Sequence, residues 1–274
     1  MDMLSKDVYP TRKQDAKATL SLTGAGAKEV GTEFTPKFSF STQVGQYTAN
    51  GVTQSANVTY NSFSVTESNR PDSIEEETSA NSSGSFTKFT VTDSTNYKLT
   101  GSCKSTQGDV PKTYLGNDYD VDDSSIDVRI EAKDWNNLSS SAVTGYRAKF
   151  YGYFDSAAKD PNALTSADIR ALSGLRLKSG TTYETKTGPQ TSLPSGAKAI
   201  KTNKMQQMFF AAPKGTYTNI TVANSTNGAP QTVKKVTDVM VEGLNGYQAV
   251  AYDVFYVSNA GAESGETIFD VTLS

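Results

Sequence analysis

The chain has no histidine, a single cysteine and a single tryptophan among its 274 residues. Without imidazole, no Ser-His-acid or Cys-His arrangement can be built. The side chain that most often moves protons near neutral pH and ligates transition metals is also missing. Cys103 alone cannot form an internal disulfide; it reads as a buried small hydrophobe, with a reactive thiol as the alternative. No apolar run approaches the roughly 18 residues that a membrane helix needs, so no membrane insertion is expected. The opening residues Met1–Asp7 lack the apolar stretch of a secretory leader. Basic and acidic residues nearly balance, 26 against 29, for a net charge of -3. That leaves no broad positive field, and no nucleic-acid partner is expected. Gly24-Ala25-Gly26 is only a fragment of a nucleotide-binding glycine motif and opens no helix.

What the chain does have is alternation. Ala18-Thr19-Leu20-Ser21-Leu22-Thr23 alternates small or apolar residues with hydroxyl residues, the period of a half-buried strand. Phe34, Phe38 and Phe40 continue the apolar series, with Pro36 arguing against a central strand position. Short strands are predicted again around Val58, Phe63–Thr66, Phe86–Val91 and Tyr97–Thr100. The charged stretch Glu67–Glu77 reads as a solvated loop between them. Ile126–Glu131 alternates cleanly and opens a second strand set. Met205–Pro213 reads as a buried strand stopped by proline, and Glu266–Leu273 as a closing strand inside a sheet. Thr165-Ser166-Ala167-Asp168 carries a capping-box start for one short helix whose apolar face, Ile169 and Leu172, must pack on a sheet.

The expected fold class is mainly β: two antiparallel β-sandwich-like modules, the second with one short helix. The expected organisation is an N-terminal arm at 1–17, an Ig-like sandwich module at 18–105, a linker at 106–125, and a β-rich module at 126–274 with its helix at 166–173.

Chemistry has few places to reside. Asp118, Asp120 and Asp122 alternate as calcium ligands can, but Asp123 stands where an EF-hand turn needs glycine and Arg129 where it needs a bidentate acid. They remain candidate calcium ligands, set against a hydrated acidic loop, and no other cofactor is expected. Asp127, Glu131, Asp134 and Asp155 are the acids a histidine-free glycosidase could pair, at separations the sequence does not reveal. Trp135, beside Asn136 and Asn137, suits stacking on a sugar or anchoring a core. Tyr146, Arg147, Tyr151 and Tyr153 form an aromatic and basic stripe suited to protein contact or internal packing.

The second half resembles a module of virion structural and tail-fibre-like proteins from phages of gut bacteria. The resemblance rests on four ordered blocks: Gly145–Tyr153, Leu164–Leu172, Met208–Gly215 and Tyr252–Val257. The first half is similar to the Ig-like module that often precedes it, through Gly31–Pro36 and Val110–Asn117. The resemblance implies a non-enzymatic virion component assembled in the host cytoplasm: a tail, neck or head fibre, or a decoration or adaptor protein. It implies other virion structural proteins as partners, a homo-oligomer with a closed trimer among its forms, and a host-surface receptor or glycan as a further contact. No collagen repeat, coiled-coil stem or long β-helical array accompanies it. The reading from a different class is a carbohydrate-binding protein or a histidine-free glycosidase.

Overall fold

The computed structural model describes residues 9–73, 76–79, 81–119, 129–153, 159–194, 198–203, 207–257 and 266–274. Of these, 54% lie in strands and 5% in helix, and the strand pairings named below are antiparallel. The chain forms two compact units. The first comprises residues 1–26, 33–89 and 94–144; the second comprises 27–32, 90–93 and 145–274.

In the first unit, strand Lys17–Leu22 shows the burial that its alternation predicts, with Ala18, Leu20 and Leu22 inside and the hydroxyl residues outside. It pairs with Lys37–Gln43, setting Leu20 opposite Phe40 and Leu22 opposite Phe38. Pro36 lies between two strands, so Lys37–Gln43 keeps its amides and pairs on its other edge with Ser83–Ser85. Phe38 and Phe40 therefore lie on the middle strand of this sheet, not off it as the proline suggested, while Phe34 belongs to the separate short strand Glu33–Phe34. A second sheet is built on the long pair Tyr60–Ser68 and Asn96–Ser105. Its inner face meets the first: the Phe63 and Phe40 rings are 4.8 Å apart. A Cβ on Gly101 would come within about 3 Å of Leu20 and Phe40, so the glycine permits the approach.

Two sequence expectations change here. Residues 126–128 lie outside the described ones, and Arg129–Ala132 is not strand. The Ile130 amide donates to the Tyr47 hydroxyl and its carbonyl accepts from Gly108, so no ladder serves this backbone. The strand is Lys133–Ser139, and it pairs with Asn96–Ser105 in the first unit instead of opening the second module. Within the expected arm, Thr11–Gln14 is a strand paired with Gln46–Ala49.

Nor is Glu67–Glu77 wholly solvated. The side chains of Glu67 and Arg70 are both 0% exposed. The Glu67 carboxylate accepts from Arg70 Nη1 at 2.7 and 3.0 Å, from the Tyr97 hydroxyl at 2.8 Å and from the Glu76 amide at 3.1 Å. Arg70 also donates to Asp72 and the Lys88 carbonyl and lies over the Phe89 ring. Burial pushes the Glu67 carboxyl above its usual range, with these donors opposing the shift. Such a pair is tolerable only because its polar atoms are met on several sides.

The second unit centres on one large sheet. Its strands run in the order Ile220–Asn224, Glu266–Leu273, Lys198–Asn203, Ser173–Ser179, Phe150–Tyr153, Met208–Pro213, Val250–Val257, Val233–Val241. Thr182–Thr187 pairs with Ser173–Ser179 beside this path. The two ends of the order meet: Ala223 bridges to Pro230, and the Gln231 amide donates to the Val222 carbonyl just before the last strand begins. The sheet thus curls back on itself. Its concave side is filled by Tyr151, Leu175, Phe210, Phe255, Val257, Phe269 and their neighbours.

The opposite side is also covered. Phe150, Phe209, Val241 and Val254 pack with Ile169 and Leu172 from the helical segment. Met208 through Ala212 are consequently buried at every position, which explains an apolar run with no alternation. The helix spans Ser166–Arg170, capped by Thr165 with both halves of the capping box formed through Asp168. It is shorter than the predicted 166–173 because Ser173 is already paired with Tyr153 and Thr187. Gly152 is required where it stands, since a Cβ there would lie 2.2 Å from the Ser173 amide nitrogen.

Two outcomes are expected. Arg70→Met strands the Glu67 carboxylate and should cost about 3–5 kcal/mol in urea unfolding, while the Glu67→Met/Arg70→Met double variant should cost clearly less. A double variant as unstable as the single one would refute this account of the pair. The Lys159 ammonium, then the Thr165 hydroxyl and amide, pull the Asp168 carboxyl from 3.8 down to about 2. Its folded value lies below its unfolded one, so the cap's contribution is complete above about pH 4 and is lost as pH falls towards 2. Amide exchange at Ile169–Ala171, corrected for intrinsic rates, should accelerate over that interval. Asp168→Asn should abolish the dependence and cost about 1 kcal/mol.

Candidate functional site

A groove of about 200 Å³ opens on the first unit, where the strand Thr11–Gln14 ends and the strand Lys133–Ser139 begins. Its floor is apolar, made by Ala16 and Ile130, which are 8% and 4% exposed. Both belong to a small core with Tyr47, Ala56 and Val58. Ile130 fills the space above Gly45, where a Cβ would lie 1.6 Å from its Cδ1, and its amide is held by Tyr47. The floor is fixed from beneath.

The rim carries Arg12, Asp15, Glu131 and Lys133, two charges of each sign. Each already has an internal partner. Arg12 pairs with Asp15 at 3.3 Å and donates to the Arg129 carbonyl. Glu131 accepts from the Gln107 amide at 3.1 and 3.3 Å. The Lys133 ammonium lies 4.2 Å from the centroid of the Trp135 ring, a cation over an aromatic face. The rim is polar without carrying a net field.

Trp135 is half-buried and sits across the ladder from Cys103. Lys133 occupies one face of the indole, so that face is not open for stacking on a sugar. The indole Nε1 is shielded from solvent and has no acceptor among the described residues. Cys103 is 1% exposed, and burial raises its thiol pKa, which makes it an inert core residue.

The other candidates disperse. Asp134 pairs with Lys104 and Glu131 with Gln107, while Asp127 and Asp155 lie outside the described residues. Asp118 pairs with Lys112, and its companions Asp120 and Asp122 are likewise outside. Among the described residues, no three His, Cys, Asp or Glu side chains gather as metal ligands would.

The aromatic stripe is built into the second unit. Alternation sends Tyr146 and Phe150 to the helix-covered side and Tyr151 and Tyr153 to the concave core. Tyr151 is 5% exposed and Tyr146 and Tyr153 are half-buried, so a stripe read as a contact surface is largely packing. The guanidinium of Arg147 is committed as well. It grips Asp93 through two 2.7 Å hydrogen bonds, donates to the Gln248 carbonyl and lies over the Tyr247 ring. Arg170 does the same for Glu29 at 2.6 Å, with the Glu242 carbonyl and the Phe150 ring. These two clasps hold segments 90–93 and 27–32 within the second unit. Separations of 54 and 141 residues left no local sign of them in the sequence.

No family model matches the chain, and no curated protein matches it significantly.

Burial pushes the Tyr151 phenol up to about 12. In a spectrophotometric titration, Tyr151→Phe should remove one phenol that ionises near 12 and leave the phenols that titrate near 10 unchanged. Loss of a phenol titrating near 10 would place Tyr151 at the surface.

Proposed function

We propose that the chain is a non-enzymatic virion structural component of a phage: a tail, neck or head fibre, or a decoration or adaptor protein. It acts by holding surfaces in place against other virion proteins or a host receptor. The observation that carries this reading is the convergence of four sequence blocks. Gly145–Tyr153, Leu164–Leu172, Met208–Gly215 and Tyr252–Val257 carry the resemblance to virion modules, and all four supply side chains to one core: Phe150, Ile169, Leu172, Phe209, Tyr252 and Val254. The four blocks that carry the resemblance thus belong to one packed module, which supports reading them together.

In this proposal the first unit is an Ig-like sandwich, supported by its two facing sheets, and the second is a module of one curled sheet. Both are strand-built scaffolds suited to fixing geometry. The contact residues move accordingly, from the buried stripe to the hairpin closed by Lys112 and Asp118. Its tip presents Tyr114 and Leu115, 50% and 61% exposed. Adjacent exposed apolar side chains on a short bridged loop are anchors for a protein neighbour. The assembled form in this proposal is a homo-oligomer, a closed trimer being one arrangement the resemblance allows.

Quantitative mass spectrometry of purified particles from a phage encoding this chain should find it at a fixed copy ratio to the other structural proteins. Absence from particles, together with turnover of a defined substrate by the free protein, would sink the assignment. In particles that contain the chain, Leu115→Asp should lower its incorporation or receptor attachment without altering the far-UV spectrum.

A further inference from the structure

We infer that the strand Thr182–Thr187 is a self-pairing edge, which joins the same strand of a second copy antiparallel about a two-fold axis at Thr185. Its position in the large sheet makes it available. The two ends of the sheet meet through Ala223, Pro230 and Gln231. Ser173–Ser179 is used on both sides, by Thr182–Thr187 on one and by Tyr153 and Lys198–Asn203 on the other. Thr182–Thr187 lies beside this path, and among the described residues Ser173–Ser179 is its one strand partner. From Glu184 to Lys186 its outer side therefore presents main-chain donors and acceptors that a further strand can take up.

Edge strands are commonly blunted by a proline or a bulge. Neither interrupts this one. Gly180 and Gly188, with φ of 61° and 72°, flank the strand, and its register with Arg176–Ser179 is unbroken. Three threonines and a tyrosine among its six residues favour extended backbone. Thr182, Glu184 and Thr185 are exposed. The Gln190 side chain already donates to the Thr187 carbonyl, so the new ladder is short and the association weak.

The strand's two charges select both the partner and the register. Glu184 and Lys186 lie on one face, two residues apart, and pair at 2.7 Å within the chain. A two-fold axis perpendicular to the sheet keeps each face on its own side, so only residues of the same face can stand opposite one another. Centred on Thr185, the axis sets Glu184 of each copy opposite Lys186 of the other. Shifted by one residue either way, it sets Glu184 against Glu184 or Lys186 against Lys186. The strand is thus complementary to itself in one register and repelled in the adjacent ones. The ladder closes whether Thr185 or its two neighbours supply the outward amides, because antiparallel pairs alternate. An antiparallel strand pair has two-fold symmetry, so this contact differs from one that closes a trimer. It stands on the sheet edge and is independent of virion membership, which particle composition tests separately.

Sedimentation equilibrium of the isolated full chain, from about 1 μM to about 1 mM, should show monomer passing into dimer. The Glu184 and Lys186 side chains are 52% and 37% exposed, so reversing either charge should leave the far-UV spectrum unchanged. Glu184→Lys and Lys186→Glu should each weaken the dimer at least about tenfold. An equimolar mixture of the two variants should restore it, because each then meets the opposite charge. The Glu184→Lys/Lys186→Glu double variant should dimerise alone. In this register the two Thr185 Cα atoms stand about 4.5–5.5 Å apart, a separation that a disulfide spans. Mild oxidation should therefore link Thr185→Cys into a covalent dimer much faster than Thr181→Cys, and Cys103, 1% exposed, does not compete. A chain that stays monomeric over the whole range, or a dimer indifferent to both charge reversals, would overturn the inference. So would single variants whose mixture associates no better than either alone.

Discussion

The second unit depends on one constraint: its central strands must be apolar on both faces. Met208–Pro213 lies between Phe150–Tyr153 and Val250–Val257, with a filled concavity on one side and the helical segment on the other. Fully burying a Phe, Leu or Val contributes about 1.5–3 kcal/mol, and these strands do so at consecutive positions rather than alternate ones. The helix follows from this demand. Five residues form too short a helix to stand alone, so Ser166–Arg170 persists because Ile169 closes over Phe150 and Phe209. The curl follows too, since a flat sheet would leave the Phe210 and Phe255 side open to water.

Charge is used differently in the two units. Glu67 and Arg70 are wholly desolvated, and their pairing is sustained by the donors and acceptors that meet it on several sides. The Arg147 and Arg170 clasps are partly exposed, and each joins an acidic side chain, a backbone carbonyl and a ring. Such multidentate guanidinium contacts fix geometry more than a lone lysine pair can. Arg147 shows why a basic residue between tyrosines is a poor guide to a binding surface. The same features that suit recognition of a partner also suit recognition of another part of the chain.

How much the sequence revealed depended on the range of the signal. Period-two alternation located Lys17–Leu22 and sorted the Tyr146–Tyr153 stripe onto two faces, because side-chain direction follows from backbone geometry alone. The capping box located the helix start for the same local reason. Apart from Pro36, which falls one residue before the strand it seemed to forbid, the failures were long-range. Ile126–Glu131 alternates well, yet Arg129–Ala132 is not strand because Tyr47 and Gly108 occupy the Ile130 backbone. Glu67 and Arg70 looked solvated because nothing nearby in the sequence announces Tyr97, Lys88 and Phe89. The groove is hidden similarly, since in the sequence Glu131 reads as one acid among several. Arg12 and Asp15 lay in a segment expected to be an unpaired arm.

The clasps also impose an order on folding. Segments 27–32 and 90–93 leave the ribosome well before Arg147 and Arg170, yet they belong to the later unit. Glu29 and Asp93 must wait for their guanidinium partners, so the second unit cannot finish from residues 145–274 alone. The strand Glu266–Leu273 is set between Lys198–Asn203 and Ile220–Asn224, both more than forty residues earlier in the chain. Assembly of this unit is therefore dominated by distant pairings, the regime in which loop-closure entropy makes folding slow.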